Sequence, residues 1–206
     1  MNGGNHAIVG ASAGIAIGIA ALSTGDVQTA VLSIPMAMSG AKLPDADHKS
    51  TKQGKVFAAF RAIIPVIAVS LCLLYGYCLL YKGVKLNPII VAIPVVLAYV
   101  LRDGTWFWKH RHGTHTLIFP LVFLILYFCI LSPYPLLASI LLPFNAGYVS
   151  HLLADMLTTD GVLLLYPFYK KKIALTKIKS KEESKCRAMA IALGLTFIML
   201  SLMISF

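Results

Sequence analysis

Residues 62–81, AIIPVIAVSLCLLYGYCLLY, and 188–206, AMAIALGLTFIMLSLMISF, contain no charged side chain. Each is close to the ~20 apolar residues a helix needs to cross a bilayer. In the hydrocarbon core no water is available to pair with backbone N–H and C=O groups, so such segments are expected to be helical. The whole chain has the same character. Of its 206 residues 58% are hydrophobic and only 13% charged, against about 25% charged in a soluble domain. Mean hydropathy is +0.80. The expected fold is all-α, a polytopic membrane helix bundle with the bilayer as its first partner.

Further segments follow from the same reasoning. Residues 116–154 form a longer apolar run, broken by SPYP at 132–135. Two prolines there suit a tight reversal between two helices. Residues 86–101 make a shorter candidate, and the first 41 residues supply two more, about 7–22 and 27–41, split by STGD. These last two are short for spans. The expected total is about seven helical segments in a single domain, 1–206. Its motif-bearing part is 1–168, followed by a basic loop at 169–187 and a C-terminal helix at 188–206. Residues 170–187, KKKIALTKIKSKEESKCR, read as an orientation signal and a surface helix. In the first segment Gly10, Gly14 and Gly18 recur every four residues. They leave one face nearly bare, the kind of face that lets membrane helices pack closely. Cys72, Cys78, Cys129 and Cys186 show no zinc or redox spacing and read as ordinary apolar residues.

Numbering the segments and alternating sides puts sixteen of the eighteen Lys and Arg on one side, with only Lys82 and Lys85 opposite. By the positive-inside rule that side is cytoplasmic. The net charge of +10 then needs no nucleic acid, because basic loops beside anionic lipid account for it. The same alternation brings all six histidines to the cytoplasmic face, with every acidic residue except Asp26.

Those histidines and aspartates carry the chemistry. His151 and Asp155 lie four apart near the end of an apolar run, which on a helix puts both on one face. Ionisable groups at membrane depth are costly and mark a function or a partner. HRHGTHT, residues 110–116, holds three histidines just before an apolar helix, with His110 and His115 off-register for one helix face. In LPDADH, residues 43–48, Asp45 and Asp47 alternate after Pro44, which disfavours a continuous helix. His6 opens the first segment. Imidazoles and carboxylates without cysteine suit zinc, manganese or iron as a hydrolytic metal.

LPDADH, HRHGTHT and GYVSHLLADMLTTDGVLLLYPF resemble the signatures of the YdjM-like group of inner-membrane metal-dependent hydrolases, several of them damage-induced. The likeness covers His6 to about Phe168. It implies a multi-helix inner-membrane protein with a His/Asp metal site, which the charge distribution places on the cytoplasmic side. It also implies the ligands His6, Asp45, Asp47, His110, His115, His151 and Asp155. Arg111 and Thr114 match motif positions and are the candidate catalytic residues. His112 stands where the group has a small residue and Thr116 where it has Ser, and neither change removes a ligand. The combination also resembles zinc-dependent phospholipase C and related nucleases, which points to phosphoesters.

The function expected is therefore hydrolysis of a phosphoester in a lipid-like substrate by metal-activated water. Seven ligands are too many for one tetrahedral ion, so two divalent ions, zinc or manganese, are expected. The alternatives are a divalent-metal transporter and a non-enzymatic membrane protein with a structural metal site. A bis-His haem protein ranks last, since only His151 reads as lying inside a helix.

Overall fold

The computed structural model describes residues 1–47, 66, 69, 70, 72–77, 113–128 and 135–205. The chain divides into two compact units, one of Met1–Asp45 with Arg111–Phe206 and the other of Ala46–His110. Of the second unit, the stretch 72–77 is helical. The expected segments at 62–81 and 86–101 otherwise lie outside the described residues, and the count of seven with them.

The first unit is built of helices. Helix α1 (Gly3–Ser23) starts at Asn2, whose side-chain oxygen accepts from Asn5 N–H at 2.9 Å, the usual N-cap bond. It ends at Thr24 and Gly25, the latter with a positive φ of 78°, a conformation open to glycine at little cost. Asp26 then caps α2 (Val27–Gly40), accepting from Thr29 N–H at 3.0 Å. STGD is thus a stop and a start in four residues. After α2 come a 3-10 turn at Pro44–Asp47 and another at Gly113–His115, which leads into α3 (Ile118–Leu126). Helix α4 (Pro135–Met156) opens on the last proline of SPYP and α5 (Glu183–Ser205) closes the unit.

Helices α1, α4 and α5 are long and apolar enough to cross a membrane. Helix α2, with 14 residues, is about 21 Å long, shorter than the ~30 Å core. The first segment therefore extends further than its apolar run, because Gly3–Asn5 continue the helix towards the cap.

Helix α1 packs against α2, α4 and α5, and α4 also against α2 and α3. Small residues make the contacts. A Cβ on Gly14 would stand 2.7 Å from Ile34 Cα, and one on Gly18 2.8 Å from Ser33 Oγ. The glycine face of α1 is the α2 contact, as its spacing predicts. The α2–α4 crossing is tighter still: Gly147 lies against the Ala37 carbonyl and Gly40 against that of Phe144, with no room for a methyl group at either. Val9, Ala154 and Ala190 form the α1–α4–α5 core. On α5 the large residues Leu195, Met199, Met203 and Ile204 remain exposed, as suits a helix facing lipid.

Residues 170–182, expected within a basic loop carrying a surface helix, are non-helical, and the last helix begins at Glu183 rather than at 188; together with 157–169 they form a connection folded onto the end of α4. Val162 and Ile173 pair as an antiparallel bridge, and Leu175 N–H reaches Met156 O at 2.7 Å. Leu117 N–H donates to Leu164 O at 2.9 Å, tying this cap to the turn that enters α3. Cross-chain pairing satisfies backbone groups that a helix would have paired locally.

Candidate metal centre

Four elements deliver the polar side chains to one end of this unit. His6 is in the first turns of α1, Asp45 in the turn after α2, His115 in the turn before α3, and His151 and Asp155 near the end of α4. His6, His115, His151 and Asp155 are almost completely buried, and the Asp45 side chain is 29% exposed.

The close α2–α4 crossing places the first ligand. Ala41, just past Gly40, directs its carbonyl at His151 Nδ1, 2.7 Å away. A carbonyl can only accept, so Nδ1 carries the proton and Nε2 keeps its lone pair. That lone pair faces His115 Nε2 at 3.3 Å. Asp155 Oδ2 lies 3.6 Å from each of these nitrogens, and Asp45 Oδ1 3.9 Å from each. Donors bound at about 2.1 Å to a tetrahedral zinc are themselves about 3.4 Å apart. The spacing of His115, His151 and Asp155 therefore fits a single ion, with Asp45 at the rim.

Asp155 faces two ways. Its Oδ1 lies 3.3 Å from His6 Nε2 and 2.8 Å from the Met1 ammonium. The His6 ring stacks on His151, centroids 3.7 Å apart and planes at 19°. Among the described residues neither ring nitrogen of His6 makes a hydrogen bond, and Asn5 Nδ2 beside it is also unpaired. The His6 contact with the Asp155 carboxylate at 3.3 Å is an ion-pair distance without hydrogen-bond geometry, so the buried imidazole can still offer a nitrogen to a cation. His6, His151 and Asp155 form one group of converging donors, and Asp45, His115 and His151 another. His151 belongs to both but has one free nitrogen, so it serves one ion.

The supporting contacts are specific. Thr114 Oγ1 is 3.0 Å from His115 Nδ1, which aims Nε2 at the centre. Tyr148 donates its hydroxyl proton to the Thr114 carbonyl, holding the Gly113–His115 turn against α4. Thr158 Oγ1 donates to Asp155 O at 2.9 Å and closes the helix beneath the carboxylate. Such partners orient the ligands of a metal site.

Of the residues picked from sequence, the structure thus brings together His6, Asp45, His115, His151 and Asp155, with Thr114 beside His115. Asp47 belongs to the 3-10 turn by its backbone. His110 and Arg111 lie outside the described residues. Sequence reading missed Ala41, Tyr148, Gly40 and Gly147. Gly147 and Tyr148 lie within the His151 motif, so proximity was their one signal. Ala41 had none, since it acts through a backbone carbonyl.

An all-helical unit with three candidate spans and buried, converging His and Asp defines a membrane protein with donor groups able to hold a metal ion. The family model for the YdjM inner membrane protein matches residues 1–206, and the chain belongs to that family. Comparison with curated proteins and with solved structures returned no match.

Proposed function

We propose that this protein is a membrane-embedded, metal-dependent hydrolase that cleaves a phosphoester in a lipid-like substrate, with its metal centre facing the cytoplasm. The observation that carries the reading is the triangle of His115 Nε2, His151 Nε2 and Asp155 Oδ2, with sides of 3.3, 3.6 and 3.6 Å. Those donors, with Asp45, would hold a zinc or manganese ion. A divalent ion there supplies Lewis acidity and lowers the pKa of a water towards neutrality. The protein's own residues do the rest. Ala41 and Thr114 fix the two imidazoles. Arg111, next in sequence to His110, offers a positive charge for a phosphate.

The two-ion reading is supported by the opposed oxygens of Asp155. With Oδ2 directed at the first ion, Oδ1 and His6 Nε2 would be the donors for a second, at the position beside Oδ1 where the Met1 ammonium now sits. The cytoplasmic assignment rests on the lysine and arginine distribution. A site at the end of spanning helices lies at headgroup depth, which favours phospholipids or isoprenoid phosphates as substrates.

A transport path would need polar groups leading away from the centre. Among the described residues the cavity of about 430 Å³ between α1, α3, α4 and α5 is apolar apart from Asn145 and Ser150, so it offers a transported ion few polar groups, and the polar lining of a second cavity, at Asp26, Thr29 and Ser139, lies near the α1–α2 turn.

The test is metal content and turnover on the purified protein. The parent is expected to hold transition metal and to release phosphate or a phosphorylated headgroup from such lipids. The His151→Ala, Asp155→Ala variant, still folded, is expected to lose both. A parent that binds no added zinc or manganese overturns the proposal.

A further inference from the structure

The exposed tip of the connection between α4 and α5 has no role in the proposed chemistry. Pro167–Lys172, PFYKKK, is a run of six exposed residues. Phe168 is 93% exposed and Tyr169 46%, with Leu165 and Leu175 exposed on either side. Single exposed apolar residues are ordinary. A nearly bare phenylalanine next to a tyrosine and three consecutive lysines is a more specific arrangement.

The tip stands on a braced base. The Val162–Ile173 bridge closes its stem, and Tyr166 and Tyr169 N–H groups bond back to Leu163 and Leu165 carbonyls at 3.0 Å. Both feet enter helices long and apolar enough to span, α4 and α5. The tip is therefore held close to a membrane surface. Its charge is one-sided: residues 161–181 contain six lysines and no acid. The flanking acids are engaged, Asp160 with Ser180 Oγ at 2.6 Å and Glu182 with Lys185 Nζ at 2.8 Å.

We propose that PFYKKK is an interfacial anchor: Phe168 and Tyr169 enter the headgroup region and Lys170, Lys171 and Lys172 bind anionic phospholipid. Aromatic rings are favoured at that depth. A lysine near an anionic surface contributes about 1 kcal/mol, or roughly a fivefold preference each. The occupant is the bilayer's own anionic lipid, argued from charge complementarity and from the two spans that hold the tip at the surface. Because the cap is tied to the His115 turn through Leu117 and Leu164, the anchor also sets the height of the metal centre relative to the headgroups. The proposal stands whether or not the protein is a hydrolase.

The experiment places one tryptophan at the tip, F168W, in full-length protein carrying W106F and W108F. The protein is reconstituted into phosphatidylcholine vesicles with and without phosphatidylglycerol, using lipids brominated near the top of the acyl chains. The expected result is quenched, blue-shifted emission that strengthens with phosphatidylglycerol and weakens at high salt. K170Q/K171Q/K172Q in the same background is expected to abolish the phosphatidylglycerol effect. Emission typical of water, unquenched in both vesicles, overturns the proposal. So does quenching that is indifferent to phosphatidylglycerol, or a phosphatidylglycerol effect that survives loss of the three lysines. A solvated or protein-binding tip would give the first of these results, and a tip held by apolar insertion or by other charges the second and third.

Discussion

His115 and His151 meet with their Nε2 atoms 3.3 Å apart, although the two residues come from a 3-10 turn and from the end of a helix long and apolar enough to span a membrane. Because His151 Nδ1–H donates to the Ala41 carbonyl, the lone pair of its Nε2 is directed at the shared centre. Replacing either histidine removes a donor from the tightest part of the triangle. His115→Ala and His151→Ala are each expected to lower zinc affinity by more than the roughly 10–100-fold typical of outer-shell changes. Calorimetric titration of metal-stripped protein checks this.

Thr114 and Tyr148 touch no metal position and act through His115. Thr114→Ala and Tyr148→Phe are expected to weaken metal binding by about 10–100-fold while the protein stays folded. Thr114→Ser, which keeps the hydroxyl, should restore most of the affinity. Full binding by Thr114→Ala would show that the 3.0 Å contact is incidental.

Gly147 meets the Ala37 backbone and Gly40 that of Phe144. A methyl group at either position must push two helices apart. Gly147→Ala and Gly40→Ala are each expected to destabilise by about 1–3 kcal/mol and to lengthen the Ala41–His151 bond, lowering metal affinity as well. Gly3→Ala, where a Cβ meets nothing within 4 Å, serves as the control and should be harmless. Thermal unfolding in detergent separates the three.

Metal removal tests the coupling of site and fold. An ion that binds only the folded state stabilises it by about 2.7 kcal/mol at a free concentration 100 times Kd. Chelation is expected to lower the midpoint of thermal unfolding, and added zinc or manganese to restore it. His151→Ala should show neither response.

Asp26 gives a pH dependence that is independent of the metal. The Thr29 hydroxyl and then its N–H, both donating to the carboxylate, hold the Asp26 pKa below the ordinary value. A depressed folded-state pKa adds stability above the unfolded pKa of about 3.9, and that stability is lost as pH falls through the folded value. Parent protein should be more stable than Asp26→Asn at pH 6, with the gap closing below about pH 4. An unchanging gap would show that the cap does not depend on charge.

Several parts of this architecture can be read directly from residues. STGD marks the α1–α2 boundary because glycine supplies the positive φ and aspartate the cap. The Gly10, Gly14 and Gly18 spacing identifies the α2-facing side of α1. His151 and Asp155 share a face because a helix has 3.6 residues per turn. All of these are properties of short stretches. The connection at 170–182 is non-helical where a surface helix within a basic loop is expected, because its hydrogen bonds run to residues 156–162, and partners across the chain leave no local pattern.

Taken alone, the sequence determined the membrane class, the α1–α2 boundary at STGD, and the residue types able to bind a metal, since hydropathy, turn chemistry and donor chemistry belong to individual residues and their near neighbours. Only the tertiary structure decided which donors meet. The approach of Gly40 and Gly147 sets the register between α2 and α4, and that register brings the Ala41 carbonyl to His151 and turns its Nε2 towards His115 and Asp155. Register between helices is a sum of many packing contacts across distant segments, and no one segment contains it.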